Sequence, residues 1–524
     1  MLYLPIRFLM NEAPPQTRLP DPGQAALAGA AAAALSLGLT ELAAGLFGSV
    51  PSAVAAVGGY VVDVSPKVVR DAAISVFGTA DKGALAIGTA IITLVIGAVV
   101  GRLALRRFWV ATVAFGGFAV LGIAAALTEP LISPLATTLV IGLAAFAGWW
   151  VLRKLLAPRR VESPSDHVPA DAGRRRLVTQ IAAVGVAAVV AGSVGRSMII
   201  RRSEEVRVDA TLPEPVTRVL PPGPDAALEV IGLSPIVTPN DRFYRIDTAL
   251  VVPGPNPDIW RLKVTGLVDR ELELSLTDLQ EMGLHEEYVT ISCVSNKVGG
   301  GLVGNAKWTG VKLTDVLDRA GVKPEATQIV GRSVDGWTAG FPTEVAYDGR
   351  EPLIALGMNG EPLPRRHGFP ARLIVPGLYG YVSATKWLQE LELTTWEDFD
   401  GYWVPRGWSK TGPIKTQSRI DYPRQGEQIT GKPAVVAGVA WAPTREIAGV
   451  EVRFNDGSWI PAELTTPLSD SAWVQWKVET EIAPGEYVVA VRATDGTGQT
   501  QTSEVSEPAP DGATGYHQID FVAV

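Results

Sequence analysis

The residue best suited to chemistry is Cys293, the single cysteine of the chain. It follows a strand-like run over 287–292 and opens a loop rich in Gly and Asn, residues 294–305. A flexible loop at a strand end lets backbone donors approach a bound group, and a thiolate is a soft ligand suited to transition metals. A nucleophilic cysteine would instead need a neighbouring base, and a solitary buried cysteine can also be inert core filler. The residue alone leaves these interpretations open.

The loop after Cys293 also contains the spelling GxGxxG, at residues 299–304. A dinucleotide site needs a helix that begins at this point and holds pyrophosphate at its amino end. Residues 305–310, which read Asn-Ala-Lys-Trp-Thr-Gly, are a poor helix start. We therefore reject a Rossmann interpretation.

Composition narrows the class of protein. A chain of 524 residues predicts two or three domains, and a net charge of −8 disfavours a nucleic-acid binder with a broad basic surface. One cysteine excludes an internal disulfide, an iron–sulfur cluster held by cysteines and a zinc site built from several thiolates. The mean hydropathy is positive, at +0.20, and the apolar excess lies almost entirely in the first 200 residues.

Uncharged apolar runs in residues 1–202 predict an α-helical transmembrane domain, because each run is close to the length needed to cross a bilayer. The five predicted spans are 22–47, 83–105, 108–128, 130–152 and 177–200. Buried helices of a soluble protein are the alternative, which five such runs disfavour. The uncharged region 42–62 could add a re-entrant segment or a further span. Glu41 is either a functional carboxylate at membrane depth or a helix-end residue near headgroups.

Loop charges predict the orientation of these spans. Arg and Lys are concentrated in loops 102–107 and 153–176, which the positive-inside rule places in the cytoplasm. Five spans then put the chain after about residue 203 outside, so we expect a multi-pass plasma-membrane protein with an extracytoplasmic catalytic domain. Arg174-Arg175-Arg176 before the fifth span is either a degenerate twin-arginine export signal or an ordinary positive-inside anchor.

The remaining chain predicts a linker and two domains. Residues 203–240 are rich in proline and predict a linker. Residues 241–410 mix short strand-like and helical stretches, which indicates an α+β domain. Residues 411–524 read as strand after strand with turn signals between, which is typical of an immunoglobulin-like β-sandwich, here without its disulfide.

Four sequence blocks between residues 293 and 387 resemble the sulfite oxidase family in their order and spacing, and the resemblance covers roughly 225–524. The first block is similar to that family's molybdenum-ligand motif, and the second to its Trp-x-Gly-x-x-Leu segment. The blocks are Cys293–Lys297, Trp308–Leu313, Met358–Pro364 with Arg366–Arg372, and Pro376–Gly380 with Lys386–Trp387. The resemblance implies a bacterial membrane-anchored oxidoreductase with an α+β molybdopterin domain and a C-terminal domain of the dimerisation type.

The same resemblance implies roles for individual residues. Cys293 becomes the thiolate ligand of a molybdenum held by a pterin dithiolene. The positions that match cofactor contacts or the loop beside the metal are Asn296, Lys297, His367, Arg372 and Lys386. An ammonium or a guanidinium is a suitable partner for an anionic, phosphorylated cofactor. Taken singly, each of these residues could also be a surface charge or a loop hydrogen-bonder.

The sequence departs from the family's pattern where the substrate is expected. The family's sulfite-binding Arg lies in a Phe-x-x-Arg-Asn-His segment, whereas here Arg245 is at a shifted position, and Trp408 aligns approximately with an active-site Tyr. Arg245 and Trp408 are nevertheless our candidates for catalytic residues beside Cys293. The departures disfavour sulfite and leave another small oxo-acceptor, such as a sulfoxide, open.

We therefore expect a molybdenum-cofactor oxidoreductase that performs two-electron oxygen-atom transfer on a small molecule. The alternative is a cell-surface binding or sensory protein that uses the same fold without a cofactor. No histidine precedes His167 and there is no Cys-x-x-Cys-His run, so we expect no haem in the chain. The expected partners are membrane lipid, a separate electron-transfer protein and a second copy of the chain, but no nucleic acid.

Overall fold

The computed structural model describes residues 17–65, 81–128, 132–160, 172–204, 211–249, 251–430 and 433–524. The chain divides into two compact units, Met1–Arg202 and Ser203–Val524. His167 and part of the loops used for the orientation argument lie outside the described residues.

The first unit is helical. Five of its helices are long and apolar enough to cross a membrane, while the twelve-residue α2 in the region left open above is not among them. The helices are α1 (Pro22–Leu46), α2 (Ala53–Val64), α3 (Asp81–Ala104), α4 (Trp109–Ala126), α5 (Pro134–Leu155) and α6 (Ala172–Glu204). A two-residue ladder pairs β1 (Thr17–Arg18) with β2 (Arg159–Arg160).

Glycine lets these helices approach closely. A Cβ at Gly29 of α1 would lie 2.0 Å from the carbonyl oxygen of Gly97 in α3, and one at Gly45 would lie 2.7 Å from that of Gly195 in α6. Small residues at such contacts are typical of helices that pack in a membrane. Glu41 is buried in α1, where its carboxylate accepts a hydrogen bond from the hydroxyl of Ser52, just before α2.

The second unit begins with an antiparallel sheet and a mixed sheet, which share a hydrophobic core. One sheet has the strand order β10-β9-β6-β5, with β11 also paired to β9, and the other has the order β4-β3-β12-β7-β8. The strands are β3 (Arg261–Gly266), β4 (Leu272–Ser275), β5 (His285–Ser292), β6 (Val303–Lys312), β7 (Gln328–Ser333), β8 (Thr338–Pro342), β9 (Leu353–Met358), β10 (Glu361–Pro362), β11 (Arg372–Ile374) and β12 (Leu388–Thr394). The helices are α7 (Leu276–Glu281), α8 (Leu313–Ala320) and α9 (Gly380–Ser383).

The C-terminal part is a pair of sheets with apolar faces packed into one core. Their orders are β13-β15-β19-β18 and β14-β21-β20-β16-β17. The strands are β13 (Gln417–Tyr422), β14 (Gln428–Ile429), β15 (Ala434–Trp441), β16 (Ile447–Phe454), β17 (Ile460–Pro461), β18 (Glu463–Leu464), β19 (Val474–Thr480), β20 (Gly485–Asp495) and β21 (His517–Ala523). A two-sheet sandwich is thus present, and its immunoglobulin-like character stays a prediction.

Residues 211–240, which the proline content predicts to be a linker, pack onto both parts of this unit. Glu286 of β5 donates its backbone N–H to Thr217, and Leu228 donates to the side chain of Gln475 in β19. Prolines remove backbone donors and so prevent a regular element, but the remaining groups still find individual partners. The segment is therefore part of the folded unit.

Asn305 connects this segment to the β5–β6 hairpin. Its amide is fully buried, donates to the carbonyl of Ile236 at 2.8 Å and accepts from Thr290 at 3.2 Å. The indole N–H of Trp473, from the sandwich, donates to the same carbonyl at 2.8 Å. Three segments that are distant in sequence thus meet at one polar contact.

We expect Asn305→Ala to destabilise the protein by about 1–3 kcal/mol, because Thr290 loses its buried acceptor and Ile236 loses a donor. The matched control is Asn256→Ala at an exposed position. Guanidinium unfolding of the full chain in detergent, followed by tryptophan fluorescence, measures both. Equal midpoints for the two variants would contradict the role assigned to Asn305.

Candidate active site

Cys293 lies directly after β5, and local hydrogen bonds fix its backbone. Its N–H donates to Leu302 at 2.9 Å, and its carbonyl accepts from the N–H of Asn296 at 3.0 Å. The Sγ atom is 2.9 Å from the hydroxyl oxygen of Ser295. Burial raises the pKa of the Cys293 thiol, while the Ser295 contact and the charge of Lys386 act in the opposite direction. The thiol is therefore held in place by a short loop that returns to β6.

Asn296 and Lys297 have different environments although they are neighbours. Asn296 is 3% exposed, and its side-chain oxygen accepts from the N–H of Leu302 at 2.8 Å. Its amide nitrogen is buried and has no hydrogen-bond partner among the described residues. The ammonium of Lys297 is exposed and 3.9 Å from the exposed carboxylate of Glu507. The structure thus places Asn296 in the buried loop and Lys297 at the surface.

Arg372 is the most buried cation of the region. It begins β11, its side chain extends over the ring of Trp308 in β6 at 5.0 Å, and one Nη donates to the carbonyl of His367 at 3.0 Å. The residue is 4% exposed, and its Nε has no partner among the described residues. Burial lowers the pKa of Arg372 to about 10, so the guanidinium remains charged at neutral pH. A buried charge with a spare donor predicts that an anionic group binds beside it.

His367 and Lys386 lie in the same cationic environment. The Nε2 of His367 is 2.8 Å from the carbonyl oxygen of Asn240, and burial, with Arg372 nearby, lowers its pKa to about 3. His367 is therefore neutral and can act through hydrogen bonds. Burial lowers the pKa of Lys386 to about 8, although its 2.7 Å contact with Asp247 opposes this.

Arg245 shares that carboxylate. Its Nε donates to Asp247 at 2.8 Å, and its side chain is 36% exposed, whereas the side chain of Asp247 is only 4% exposed. Asp247 thus bridges Arg245 and Lys386. Asp247 therefore compensates the charge of Arg245, which is more exposed than Lys386.

Trp408 belongs to an aromatic cluster. Its ring lies 5.9 Å from that of Tyr381 and 6.4 Å from that of Trp403. Gly380, next to Tyr381, packs near the carbonyl of Ser292 at the end of β5. The described ring contacts of Trp408 are therefore with Tyr381 and Trp403, and none of its described contacts is with Cys293 or the buried cations.

Tyr244 is a site residue that the sequence argument missed. Burial raises its pKa strongly, the charge of the Cys293 thiolate adds to this, and Arg372 opposes it, so Tyr244 lies within electrostatic reach of both. Its ring stacks on Phe243 at 5.3 Å, and Phe243 in turn meets the ring of His367 edge-on. The sequence signal for Tyr244 is the aromatic pair that lies between Arg242 and Arg245.

Comparison with known proteins gives the same assignment for this region. The profile of the family described as oxidoreductase molybdopterin binding domain matches residues 249–403. Sulfite oxidase from Gallus gallus is 30% identical over 320 residues, which cover 52% of this chain and 69% of that protein. The uncharacterized oxidoreductase YuiH from Bacillus subtilis is 37% identical over 153 residues, covering 29% of this chain and 74% of that protein.

Mitochondrial sulfite oxidase from Rattus norvegicus is 30% identical over 293 residues, which cover 47% of this chain and 53% of the rat protein. The chain thus spans about half the length of the mammalian relatives it matches. Together with the positions of Cys293 and of the buried cations, these similarities show that the chain belongs to the sulfite oxidase family of molybdopterin-binding oxidoreductases.

Proposed function

We propose that this chain is a membrane-anchored molybdenum-cofactor oxidoreductase that performs two-electron oxygen-atom transfer on a small substrate outside the cytoplasm. The observation that carries the proposal is the buried Arg372 guanidinium, which keeps a donor without a partner among the described residues, in the same site as the lone thiol. A structural arginine would be expected to use its donors on the protein. Spare donors in a buried cationic site fit an anionic cofactor.

The residues present fit a molybdenum pterin. Cys293 supplies the soft thiolate ligand, Arg372 and Lys386 supply positive charge, and Asn296 has a buried amide N–H₂ without a described partner. When bound, the group supplies the two-electron redox chemistry and the metal centre for oxygen-atom transfer.

The protein groups hold charge and protons in place around that cofactor. The charge of Lys386 lowers the pKa of Cys293 and so partly offsets burial, which disfavours the thiolate that would bind a metal. His367 remains neutral, and its Nε2 is oriented by Asn240 at 2.8 Å. Tyr244 keeps its phenolic proton because burial raises its pKa, so it can donate a hydrogen bond but does not add negative charge.

For the substrate we propose a small oxygen-atom donor or acceptor, such as a sulfoxide, in preference to sulfite. Arg245, the arginine nearest to the family's sulfite-binding position, is bonded to Asp247 at 2.8 Å. A guanidinium that already shares a carboxylate attracts a free oxyanion less strongly. Trp408, where the sulfite enzymes have a Tyr, lacks a phenolic proton.

The helical unit supports membrane anchoring. Large apolar side chains are exposed along the spans, such as Val113 at 63%, Val120 at 67% and Leu143 at 66%. Such surfaces are unfavourable in water and favourable in lipid. We propose that the five long helices cross the plasma membrane, that the catalytic domain is extracytoplasmic, and that a separate protein exchanges electrons with it. The apolar helices contain no histidine, so we propose no haem in this chain, and we propose a homodimer through the C-terminal sandwich.

The test of the proposal is the molybdenum and pterin content of the full chain in detergent, measured beside its activity with an artificial redox dye. We expect about one molybdenum per chain. We also expect turnover of sulfoxides with a reduced dye to exceed turnover of sulfite with an oxidised dye. A cofactor-free but folded protein from a host that makes molybdopterin would favour the binding or sensory alternative. Stoichiometric haem in the same preparation would refute the expected need for a separate electron partner.

We expect Cys293→Ser to lose turnover by orders of magnitude while it folds and keeps part of its pterin. A serine hydroxyl is nearly isosteric but is a harder and far less acidic ligand than a thiol. Ser295→Ala is the matched control, because it removes the 2.9 Å contact to Sγ without removing the ligand. Wild-type turnover in Cys293→Ser would refute the assignment of Cys293 as metal ligand.

We expect Arg372→Ala to lower the pterin content about tenfold or more, because a bound anionic group loses its buried charged donor. The matched control is Arg332→Ala, which removes a guanidinium paired with Glu392 on β12. Pterin content per folded chain measures both variants. A full complement of pterin in Arg372→Ala would contradict its role as cofactor contact.

A further inference from the structure

Two residues of the C-terminal sandwich reach the loop that follows Cys293. Arg419 in β13 donates from one Nη to the carbonyl of Gly300 at 2.9 Å. The ring of His517, at the start of β21, lies against Gly299, where a Cβ would be 2.2 Å from its Cδ2. Since β13 and β21 belong to different sheets, each sheet contributes one contact to this loop.

Both side chains are themselves fixed. Arg419 is 9% exposed, bonds the Asp421 carboxylate at 2.6 Å and donates to the Ser234 hydroxyl at 2.8 Å. The Nδ1 of His517 accepts the backbone N–H of Ile420 at 2.9 Å, which links the two sheets where the loop rests. The contacts to the loop therefore come from a rigid support.

Further contacts connect the Gly299–Gly300 turn to Cys293 through Asn296. Gly299 has φ +76, and a Cβ at Gly300 would be 2.5 Å from the side-chain oxygen of Asn296. Asn296 holds Leu302 through that oxygen, and its backbone N–H donates to the carbonyl of Cys293. Arg419 and His517 thus contact the same turn that packs against Asn296.

We propose that Arg419 and His517 are positioning residues that hold the Cys293 loop closed, so that the sandwich forms part of the active site. The catalytic consequence rests on the proposed function, but the closed loop itself does not require a cofactor. Loosening the turn would release Asn296 and increase the accessibility of Cys293, which is partly exposed. Because Cys293 is the single cysteine of the chain, its accessibility can be measured without interference.

The experiment is alkylation of Cys293 by iodoacetamide in the full chain, purified in detergent from a host that cannot make molybdopterin. We expect Arg419→Lys to raise the rate about tenfold, because Lys preserves the charge beside Asp421 but lacks the forked donor that also reaches Gly300. Gly299→Ala should raise it similarly through the clash with His517.

Two glycine controls separate the clash with His517 from the general effects of replacing glycine by alanine, namely strain at a positive φ and a change within the same loop. Gly336 has φ +83 and Gly301 lies in the same loop, and a Cβ at either position would meet nothing within 4 Å. Gly336→Ala and Gly301→Ala should therefore leave the alkylation rate unchanged. Equal rates for Gly299→Ala and the control variants, or an unchanged rate for Arg419→Lys, would overturn the proposal.

A double variant tests the coupling directly. Once His517→Ala has removed the ring, adding Gly299→Ala should have little further effect on the alkylation rate, whereas independent roles would give additive effects. Additive effects would overturn the proposal. If His517→Ala does not fold, the comparison of Gly299→Ala with the two glycine controls decides alone.

In protein loaded with cofactor, Gly299→Ala should also change the Mo(V) EPR signal and lower the cofactor content. A wild-type chain that lacks molybdenum when it is purified from a host that makes molybdopterin would refute the proposed function, while the alkylation rates still test the closed loop.

Discussion

Positive charge in a buried place is the constraint on which the candidate site depends. Arg372 is almost fully removed from water, and a charge so placed is costly unless other groups solvate it. The ring of Trp308 and the carbonyl of His367 provide part of that solvation. Burial of the guanidinium therefore depends on the sheet that carries Trp308. An anionic ligand would complete the compensation, which links cofactor binding to the packing of β6 and β11.

The thiol depends on a different constraint, the geometry of a strand end. Cys293 leaves β5 and is tied to β6 through Leu302, so its position follows from the hairpin and not from side-chain packing alone. Asn296 joins the two ends of the loop, since it contacts both Cys293 and Leu302. The thiol after β5 and the guanidinium on β11 thus belong to one sheet, with β6 and β9 between their strands.

Local sequence patterns predicted the helices and spans, whose formation depends on residues close together in the sequence. Residues 241–410, predicted to mix short strands and helices, contain the helix Leu313–Ala320, and the predicted span at 22–47 corresponds to Pro22–Leu46. The packed segment 211–240 was not predicted, because its partners lie far along the chain, as Leu228 and Gln475 show. The electrostatic role of Tyr244 depends in the same way on residues far along the chain, Cys293 and Arg372.

Asp247 determines how the positive charge is distributed. It lies against Lys386 and Arg245, whereas no carboxylate pairs with Arg372 among the residues that the structure describes. The negative charge of Asp247 therefore lies beside Arg245 and Lys386, which are more exposed than Arg372. The charge without a carboxylate partner is that of Arg372, the most buried of the three, over the ring of Trp308. Such an arrangement favours an anion that is held permanently in the interior over an oxyanion that enters and leaves through the surface. The same carboxylate thus fits both a resident phosphorylated cofactor and a substrate without a full negative charge.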